Sequence, residues 1–244
     1  MIEDPGIDRW IASFRRRDPT LDGEEEAALR GVFSEVIAVA DNRDIVLQHD
    51  RMLQSHLLLD GWAFRYITLE DGRRQIVAIH VPGDFVDLHS FPLQIMDHSV
   101  GTFSRCRIAV APHSALRAVT ERHPHLGRLF WLSTLIDAAI HRQWLAGGQR
   151  SALARAAHLL CELYVRLETV GEARDLAFAM PMSQVEFADA LSISAVHTNR
   201  IVQELRTEGA VAWQQREVRI LDWDRLAGLA EFDPTYLNLF ASPR

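Results

Sequence analysis

The chain of 244 residues is long enough for one or two domains, and its 48% hydrophobic residues can bury a substantial core. The net charge is −7 and all 26 basic residues are arginine, which excludes a basic field over the whole surface, the usual electrostatic mark of a nucleic-acid-binding protein. No apolar run reaches the roughly 18 residues of a transmembrane helix, and the acidic residues 1–10 lack the apolar stretch of a secretory signal. Two isolated cysteines, Cys106 and Cys161, offer no zinc or cluster framework. We therefore expect a cytoplasmic protein without a membrane partner.

The first 40 residues predict helices. Apolar Trp10, Ile11 and Phe14 precede an arginine triplet at 15–17, which we interpret as a solvated face or an interface contact. Pro19 then interrupts the pattern. The acidic residues at 22–26 come before an apolar-periodic run, which is typical of a helix start because negative charge is favoured in the first turn.

Residues 41–112 change to a period of two, which predicts strands at 45–47, 52–53, 56–59, 63–69 and 75–81. Turn signals separate them, among them Asp60-Gly61 and Asp71-Gly72. Residues 99–110 predict two further strands. Many short strands at this spacing indicate a β-sandwich or barrel.

Residues 112–146 are helical in pattern, with apolar side chains every three or four positions after Pro124. We expect one side of this long helix to lie on the barrel and another to pair with a second chain. Gly147-Gly148 follows as a hinge or as a simple helix end, and residues 152–167 predict a further amphipathic helix. The predicted pairing residues are Leu129, Ser133, Ile136, Ile140, Gln143 and Trp144.

Residues 182–208 predict two short helices around a tight turn. Ser183 and Glu186 have the spacing of a capping box, and Ser194 can cap the second helix. Hydroxyl, imidazole, amide and guanidinium groups on one exposed helix face suit contacts with base edges and phosphates. In the second helix we expect a buried stripe of Val196, Ile201, Val202 and Leu205, and an outward face of His197, Thr198, Asn199, Arg200 and Gln203.

A hairpin follows the helix pair. Gly209 can end the second helix, and the alternation in residues 210–220 around a polar tip predicts a β-hairpin wing. The whole predicts a winged helix-turn-helix. A helix pair that merely packs would show the same periodicity, but the wing and the outward-facing residues favour DNA binding. Residues 222–240 predict a short helix and an aromatic tail ending at Phe240.

The order of parts resembles the Crp/Fnr family of bacterial transcription regulators. The resemblance is carried by Asp60-Gly61-Trp62-Ala63, by residues 71–76 and 81–85, and by residues 187–192 through Asn199-Arg200 and residues 203–205. It implies an α+β fold with a jelly-roll β-barrel sensor domain at 1–112, a dimerisation helix at 113–147 and a winged helix-turn-helix domain at 148–244. It also implies a transcription regulator, not an enzyme, that binds a palindromic operator in double-stranded DNA as a homodimer, with RNA polymerase as a candidate partner.

Carried over by position, Arg200 falls where the family's arginine reads a guanine, while Ser194 and His197 fall where phosphates or bases are contacted. The chain departs from the family at Ala195 and Val196, where arginine and glutamate are common. The half-site is therefore expected to differ, with Val196 reading a thymine methyl. The predicted DNA-binding residues are Ser183, Ser194, Ala195, Val196, His197, Asn199, Arg200 and Gln203.

The sensor departs from the family as well. Cyclic-nucleotide binders use a Gly-Glu pair and a later Arg-Ser or Arg-Thr pair that holds the cyclic phosphate, whereas this chain has Gly83-Asp84 and His98-Ser99. Without the arginine clamp, and with acidic residues nearby, cyclic AMP is not the expected ligand. We expect an unknown small-molecule effector near Asp84, Asp87, His98 and Ser99.

No cofactor is predicted. The N-terminal cysteines that mark the family's iron–sulfur oxygen sensors are missing, so no cluster is expected. Histidines 80, 89 and 98 leave haem or a divalent metal open, but hydrogen-bonded histidines without a metal are the preferred interpretation.

Two other functions compete. A cupin-like metal-binding enzyme needs a His-x-His pair with a third histidine and a glutamate, and the pair here, His123-Pro124-His125, lies at a helix break outside the barrel. A sensor or interaction protein without DNA binding would fit the net acidic charge, but Asn199 and Arg200 oppose it.

Overall fold

The computed structural model describes residues 2–239, which form two compact units. The first unit holds the residues up to Ile67, residues 79–138 and the end of the described chain from Asn238. The second unit holds residues 68–78 and 139–237. The domain limits at 112 and 147 stay a prediction, because the long helix that crosses residue 138 contributes to both units. Phe240 lies outside the described residues.

The chain begins with helices and continues into strands. The first helices are α1 (Pro5–Arg17) and α2 (Gly23–Arg30), and the helix start predicted from the acidic residues at 22–26 is that of α2. The structure also shows a capping box between Asp22 and Glu25. A one-turn helix, α3 (Ser90–Leu93), interrupts the strands, and α4 (His113–Arg122) and α5 (Pro124–Gly147) follow them. The strands are β1 (Glu35–Val39), β2 (Asp44–Val46), β3 (Gln54–Asp60), β4 (Ala63–Thr68), β5 (Arg74–His80), β6 (Ser99–Thr102) and β7 (Cys106–Pro112).

These strands form two sheets, in the orders β1-β7-β3 and β2-β6-β4-β5. Val46 and Val100 from one sheet and Leu58 and Ile108 from the other share one apolar core. The arrangement is a jelly-roll-like sandwich, so the predicted fold class is confirmed, although the described strands make two sheets and not a closed barrel. Residues 52–53, predicted as a strand, belong to none.

A second apolar core covers the other face of β3 and β7. Successive residues of a strand point to opposite faces, so Leu57 joins this core while Leu58 joins the core between the sheets. Trp10 occupies its centre, with ring centroids of four phenylalanines within 6.4 Å. Leu129 is fully buried in the same core, so the prediction that it faces a second chain is wrong.

His125 ties α5 to the N-terminal helices. Its Nδ1 lies 2.8 Å from Glu25 Oε2, and its Nε2 lies 3.0 Å from Asp18 Oδ2. Burial lowers the pKa of His125, but the hydrogen bonds to Asp18 and Glu25 outweigh burial and raise the pKa above its ordinary value of 6.5. With both ring nitrogens facing carboxylates, the imidazolium is the form that this site favours.

The second unit follows α5. It contains the helices α6 (Ala152–Thr169), α7 (Gln184–Leu191), α8 (Ala195–Thr207) and α9 (Trp223–Ala230), and a 3₁₀ turn at Pro234–Leu237. Its four-stranded sheet, in the order β10-β11-β9-β8, consists of β8 (Ala173–Arg174), β9 (Ala177–Ala179), β10 (Val211–Gln214) and β11 (Glu217–Ile220). The strands β8 and β9 were not predicted, because two or three residues show no periodicity. None of the described helices has the length and apolar character needed to cross a lipid bilayer.

A buried carboxylate holds the second unit together. Glu162 on α6 is fully buried, and it accepts hydrogen bonds from the Trp144 indole (3.3 Å), the Arg166 guanidinium (3.1 Å) and the Tyr236 hydroxyl (2.9 Å). Burial raises the pKa of Glu162, and the three donors oppose that shift. The last turns of α5 and the C-terminal 3₁₀ turn are thereby hydrogen-bonded to the same carboxylate on α6.

The buried stripe of α8 differs from the prediction. Thr198, Ile201, Val202 and Leu205 are buried, whereas Val196 is 68% exposed. The reason is the helical period, since positions 198, 201, 202 and 205 follow the spacing i, i+3, i+4, i+7 and position 196 does not. Thr198 faces the core, and its Oγ1 has no hydrogen-bond partner among the described residues.

The His125 contacts make stability depend on pH. A group whose pKa is higher in the folded state than in the unfolded state stabilises the fold at pH values below its unfolded-state pKa. This stabilisation is lost as the pH rises through the folded-state pKa. We expect the difference in free energy of unfolding between the wild type and His125→Gln to shrink between about pH 6 and about pH 9. Urea unfolding at the two pH values measures it, and a constant difference would contradict the imidazolium assignment.

The unpartnered Thr198 hydroxyl predicts that Thr198→Val stabilises the protein. An unsatisfied buried polar atom costs about 1–3 kcal/mol, so replacing it by a methyl of the same shape should raise the free energy of unfolding by about 1 kcal/mol. Thr207→Val is the matched control, because the exposed Thr207 hydroxyl donates to the Gln203 carbonyl at 3.0 Å and its loss should bring no gain. A destabilised Thr198→Val would mean that α8 is rotated from the orientation described here.

Candidate nucleic-acid interface

The helix pair α7–α8 begins with the predicted capping box. Ser183 Oγ accepts from the Glu186 backbone N–H at 3.2 Å, and Glu186 Oε2 accepts from the Ser183 N–H at 2.7 Å. Phe187 and Leu191 bury one side of α7, which ends at Ser192 in the left-handed conformation (φ 55°). The tight turn sets the start of α8 directly beside the end of α7.

The first turn of α8 is open to solvent. Ser194 Oγ accepts from the His197 N–H at 3.2 Å, as its predicted role as cap requires. The remaining first-turn N–H groups lie at the positive end of the helix dipole, where anions such as phosphates bind. All the predicted DNA-binding residues are exposed, namely Ser183, Ser194, Ala195, Val196, His197, Asn199, Arg200 and Gln203.

The predicted wing is present as the hairpin β10–β11, with Trp213 opposite Val218 and Gln214 opposite Glu217. Its inner face is buried, and the Trp213 ring meets Phe187 of α7 edge to face at 5.0 Å. Its tip, including Arg216, is exposed. The hairpin therefore packs on the helix pair and presents polar groups beside it.

The predicted pairing residues of α5 have mixed surroundings. Ser133, Ile136, Gln143 and Trp144 are half-buried, Ser133 Oγ donates to the Leu129 carbonyl at 3.1 Å, and Ile140 is only 8% exposed. The pairing role of these five residues stays a prediction. The exposed large apolar residues of α5 are instead Trp131 (65%), Leu135 (47%) and Leu145 (82%).

The predicted effector residues are largely engaged within the fold. Asp87 is fully buried and accepts from the His56 N–H (2.7 Å) and the His56 ring (2.8 Å). Ser99 Oγ accepts from the Gln48 N–H at 2.9 Å, and Asp84 Oδ2 accepts from the Val81 N–H at 2.9 Å. These contacts give the three residues a role in holding loops, whatever else they bind.

The fourth effector residue, His98, lies in a polar interior that the sequence did not reveal. Arg65 is 5% exposed and donates to Asp137 Oδ2 (2.9 Å) and to the Val86 carbonyl (3.0 Å). Burial, reinforced by the Arg65 charge, lowers the pKa of His89 to about 4 and that of His98 to about 3. The one signal for this interior was an arginine within an otherwise apolar strand.

The two cysteines do not suit an iron–sulfur cluster, and the His123-Pro124-His125 segment does not suit a cupin metal centre. Cys106 and Cys161 are buried, and burial raises the pKa of each thiol to about 12, which disfavours the thiolate that ligates iron. His125 is bonded to Asp18 and Glu25, so the His123-Pro124-His125 segment does not present the paired imidazoles of a cupin metal centre.

Comparisons with known proteins agree with this geometry. A Crp-like helix-turn-helix domain matches residues 154–229, which include α7, α8 and the wing. The nitrogen fixation regulation protein FixK of Bradyrhizobium diazoefficiens is 32% identical over 180 residues, 71% of this chain and 72% of FixK. The transcriptional activator protein FnrL of Cereibacter sphaeroides is 26% identical over 188 residues, 75% of each chain.

The fold is also that of a solved structure. FixK2 from Bradyrhizobium japonicum superposes with a TM-score of 0.72 at 24% identity, covering 80% of this chain and 96% of FixK2. The likeness to FixK extends over more than two thirds of both chains, so it includes more than the helix-turn-helix domain alone. The chain belongs to the Crp/Fnr family of DNA-binding transcription regulators, which are not enzymes.

Proposed function

We propose that this regulator binds an inverted-repeat operator as a homodimer, with one α8 in each of two successive major grooves about 34 Å apart. The observation that carries the proposal is the exposed face of α8. Ile201, Val202 and Leu205 are buried, and Asn199, Arg200 and Gln203 carry polar side chains into solvent. Family membership supports the DNA partner, and a two-fold pair of chains matches a two-fold operator.

Arg200 is the residue that we assign to base recognition. Its planar guanidinium can donate two parallel hydrogen bonds to O6 and N7 of one guanine, which a lysine cannot reproduce. Asn199 and Gln203 lie one residue before and three residues after it, and both are exposed. An amide can pair with adenine N6 and N7 in the same groove.

The two capping serines differ in what they offer to DNA. The Ser183 hydroxyl donates to Glu186 Oε2 at 2.8 Å, so its proton is already engaged. The Ser194 hydroxyl accepts from the His197 N–H and keeps its own proton for a phosphate oxygen. We therefore assign the phosphate contact at the start of α8 to Ser194, with His197 beside it.

Val196 and Ala195 set this chain's half-site apart. Val196 is 68% exposed in the first turn of α8, so its apolar side chain is available for contact with a DNA groove. The C5-methyl of thymine is the apolar feature of the major groove. An exposed valine one helical turn before Arg200 is consistent with a thymine in the half-site.

Homodimer formation is proposed to use the exposed stripe of α5. Trp131, Leu135 and Leu145 are the large apolar residues of that stripe, and their spacing of four and ten residues keeps them within about 40° of one line along the helix. Two such helices in contact would bury all three side chains from water.

Regulation is proposed to act through the jelly-roll unit, with a small-molecule effector that favours one arrangement of the paired helices. Only a ligand with different affinities for two arrangements can shift their populations. FnrL is named a transcriptional activator, and an activator's expected further partner is RNA polymerase.

Replacing Arg200 tests the base contact. After binding-site selection has supplied the operator, Arg200→Ala should lose discrimination at one base pair in each half-site, at about 1–3 kcal/mol per half-site. Fluorescence anisotropy with operator and single-base variants, at fixed salt, measures the loss.

Arg200→Lys is the matched variant, because it keeps the charge and removes the fork. It should bind random DNA like the wild type while discriminating as poorly as Arg200→Ala. Equal losses on operator and random DNA that lysine restores would reassign Arg200 to a phosphate. The proposed function would be contradicted if both variants bound DNA like the wild type, or if the wild type bound no DNA. An interaction protein would then be the remaining function.

Charge on the α5 stripe tests the dimer. The double variant Trp131→Glu/Leu135→Glu would bring four carboxylates together in a paired helix, so we expect a monomer that still has the wild-type circular dichroism spectrum. Sedimentation equilibrium reports the mass. Leu53→Glu is the control, since Leu53 is 76% exposed outside α5 and its variant should remain a dimer. A monomeric wild type, or a dimeric double variant, would contradict the proposed pairing of α5 helices.

A further inference from the structure

Three side chains with metal-ligating atoms converge in the first unit, and DNA binding uses none of them. A ring nitrogen each of His89 and His98 and a carboxylate oxygen of Asp97 lie within 4.8 Å of one another. The two imidazole rings are 4.9 Å apart between centroids. His89 lies at the start of α3, and Asp97 and His98 lie just before β6, so two separate elements bring the groups together.

Two of these ligating side chains have nitrogens that the protein leaves unsatisfied. Nε2 of His89 and Nε2 of His98 are buried, and neither has a hydrogen-bond partner among the described residues. His98 as a whole is only 6% exposed. Each such atom costs about 1–3 kcal/mol when no partner replaces water. Two adjacent imidazoles with unpaired buried nitrogens therefore point to a ligand that accepts both lone pairs.

We propose that His89, His98 and Asp97 bind one divalent transition-metal ion. Two imidazoles and one carboxylate are a donor set that Zn²⁺, Co²⁺ and Fe²⁺ accept, whereas Ca²⁺ and Mg²⁺ prefer oxygen ligands alone. Metal–ligand bonds of about 2.0–2.2 Å keep ligand atoms roughly 3–4 Å apart, so side-chain rotations are needed to close the set. The Asp97 side chain is 79% exposed, which gives the ion and its water ligands a path from solvent.

The contact between Asp97 and His98 prepares the ring for metal binding. Asp97 Oδ1 lies 2.6 Å from His98 Nδ1, which places the ring proton on Nδ1 and leaves the lone pair on Nε2. This hydrogen bond orients the ring. An ion on Nε2 lies on the opposite side of the ring from Nδ1, so Asp97, whose side chain is 79% exposed, turns away from Nδ1 to ligate the ion.

Charges of both signs surround a cation bound at the cluster. Arg65 opposes one, but its guanidinium is paired with Asp137 at 2.9 Å. Asp87, Asp97 and Asp137 all act electrostatically on His89, so three carboxylates face one guanidinium there. The competing ligand is an anion bound by Arg65. Binding of Zn²⁺ would indicate the metal site, whereas binding of sulfate would indicate the anion site.

Zinc binding by the full-length chain tests the site without DNA, so its failure is distinct from failure of the proposed function. After dialysis against Zn²⁺ and removal of unbound metal, we expect one ion per chain by mass spectrometry of the metal. Asp97→Asn and His98→Gln should each weaken Zn²⁺ binding at least about tenfold in a competition titration. Co²⁺ should give the visible absorption of a nitrogen- and oxygen-ligated ion in the wild type.

Matched controls separate the site from casual binding. Asp41→Asn and His123→Gln change the same residue types away from the cluster and should bind Zn²⁺ like the wild type. Because Asp97 is exposed, Asp97→Asn keeps the fold, and Zn²⁺ should raise the melting temperature of the wild type but not of this variant. Less than one ion per chain, equal affinity in all variants, or stabilisation by sulfate in place of Zn²⁺ would overturn the proposal.

Discussion

The burial register of α8 is the constraint on which the DNA-binding surface depends. Ile201, Val202 and Leu205 must face the core of the second unit, and a helix turns about 100° per residue, so the directions of Asn199, Arg200 and Gln203 are fixed as soon as that stripe is fixed. Ser194 sets where the helix starts. A shift of one residue would turn Arg200 towards apolar neighbours. The proposed recognition of DNA therefore depends on packing first and on charge second.

In this chain the positions of individual arginines, and not the net charge, favour DNA binding. The protein is acidic overall, at −7, yet its second unit puts Arg200 on α8 and Arg216 at the wing tip, both in solvent. Several other arginines form ion pairs with carboxylates, as Arg166 does with Glu162 and Arg225 with Glu208. Composition alone therefore argued against DNA binding, whereas the position of a few guanidinium groups on one helix and one hairpin argues for it.

Local chemistry in the sequence was enough to predict the parts of the fold that depend on neighbours along the chain. The helix start at the acidic residues 22–26, the capping box at Ser183 and the alternation of the wing were all recognisable in this way. Thr198 was misplaced because hydrophobicity alone ranks valine above threonine, although the helical period selects position 198. Leu129 was assigned to a pairing face because a helix that is apolar on several sides does not state which side meets its own core. The polar interior around Arg65 requires residues from distant strands and loops, which no local pattern brings together.

The two cysteines have a practical consequence for measuring this molecule. Cys106 and Cys161 are both fully buried, and their thiols keep their protons at neutral pH. Maleimides and thiol-reactive nitroxide reagents should therefore not react with them. A single cysteine introduced on the surface would then take up a fluorophore or spin label without prior removal of the native thiols. Distances between labelled helices become accessible in a chain whose core has not been altered.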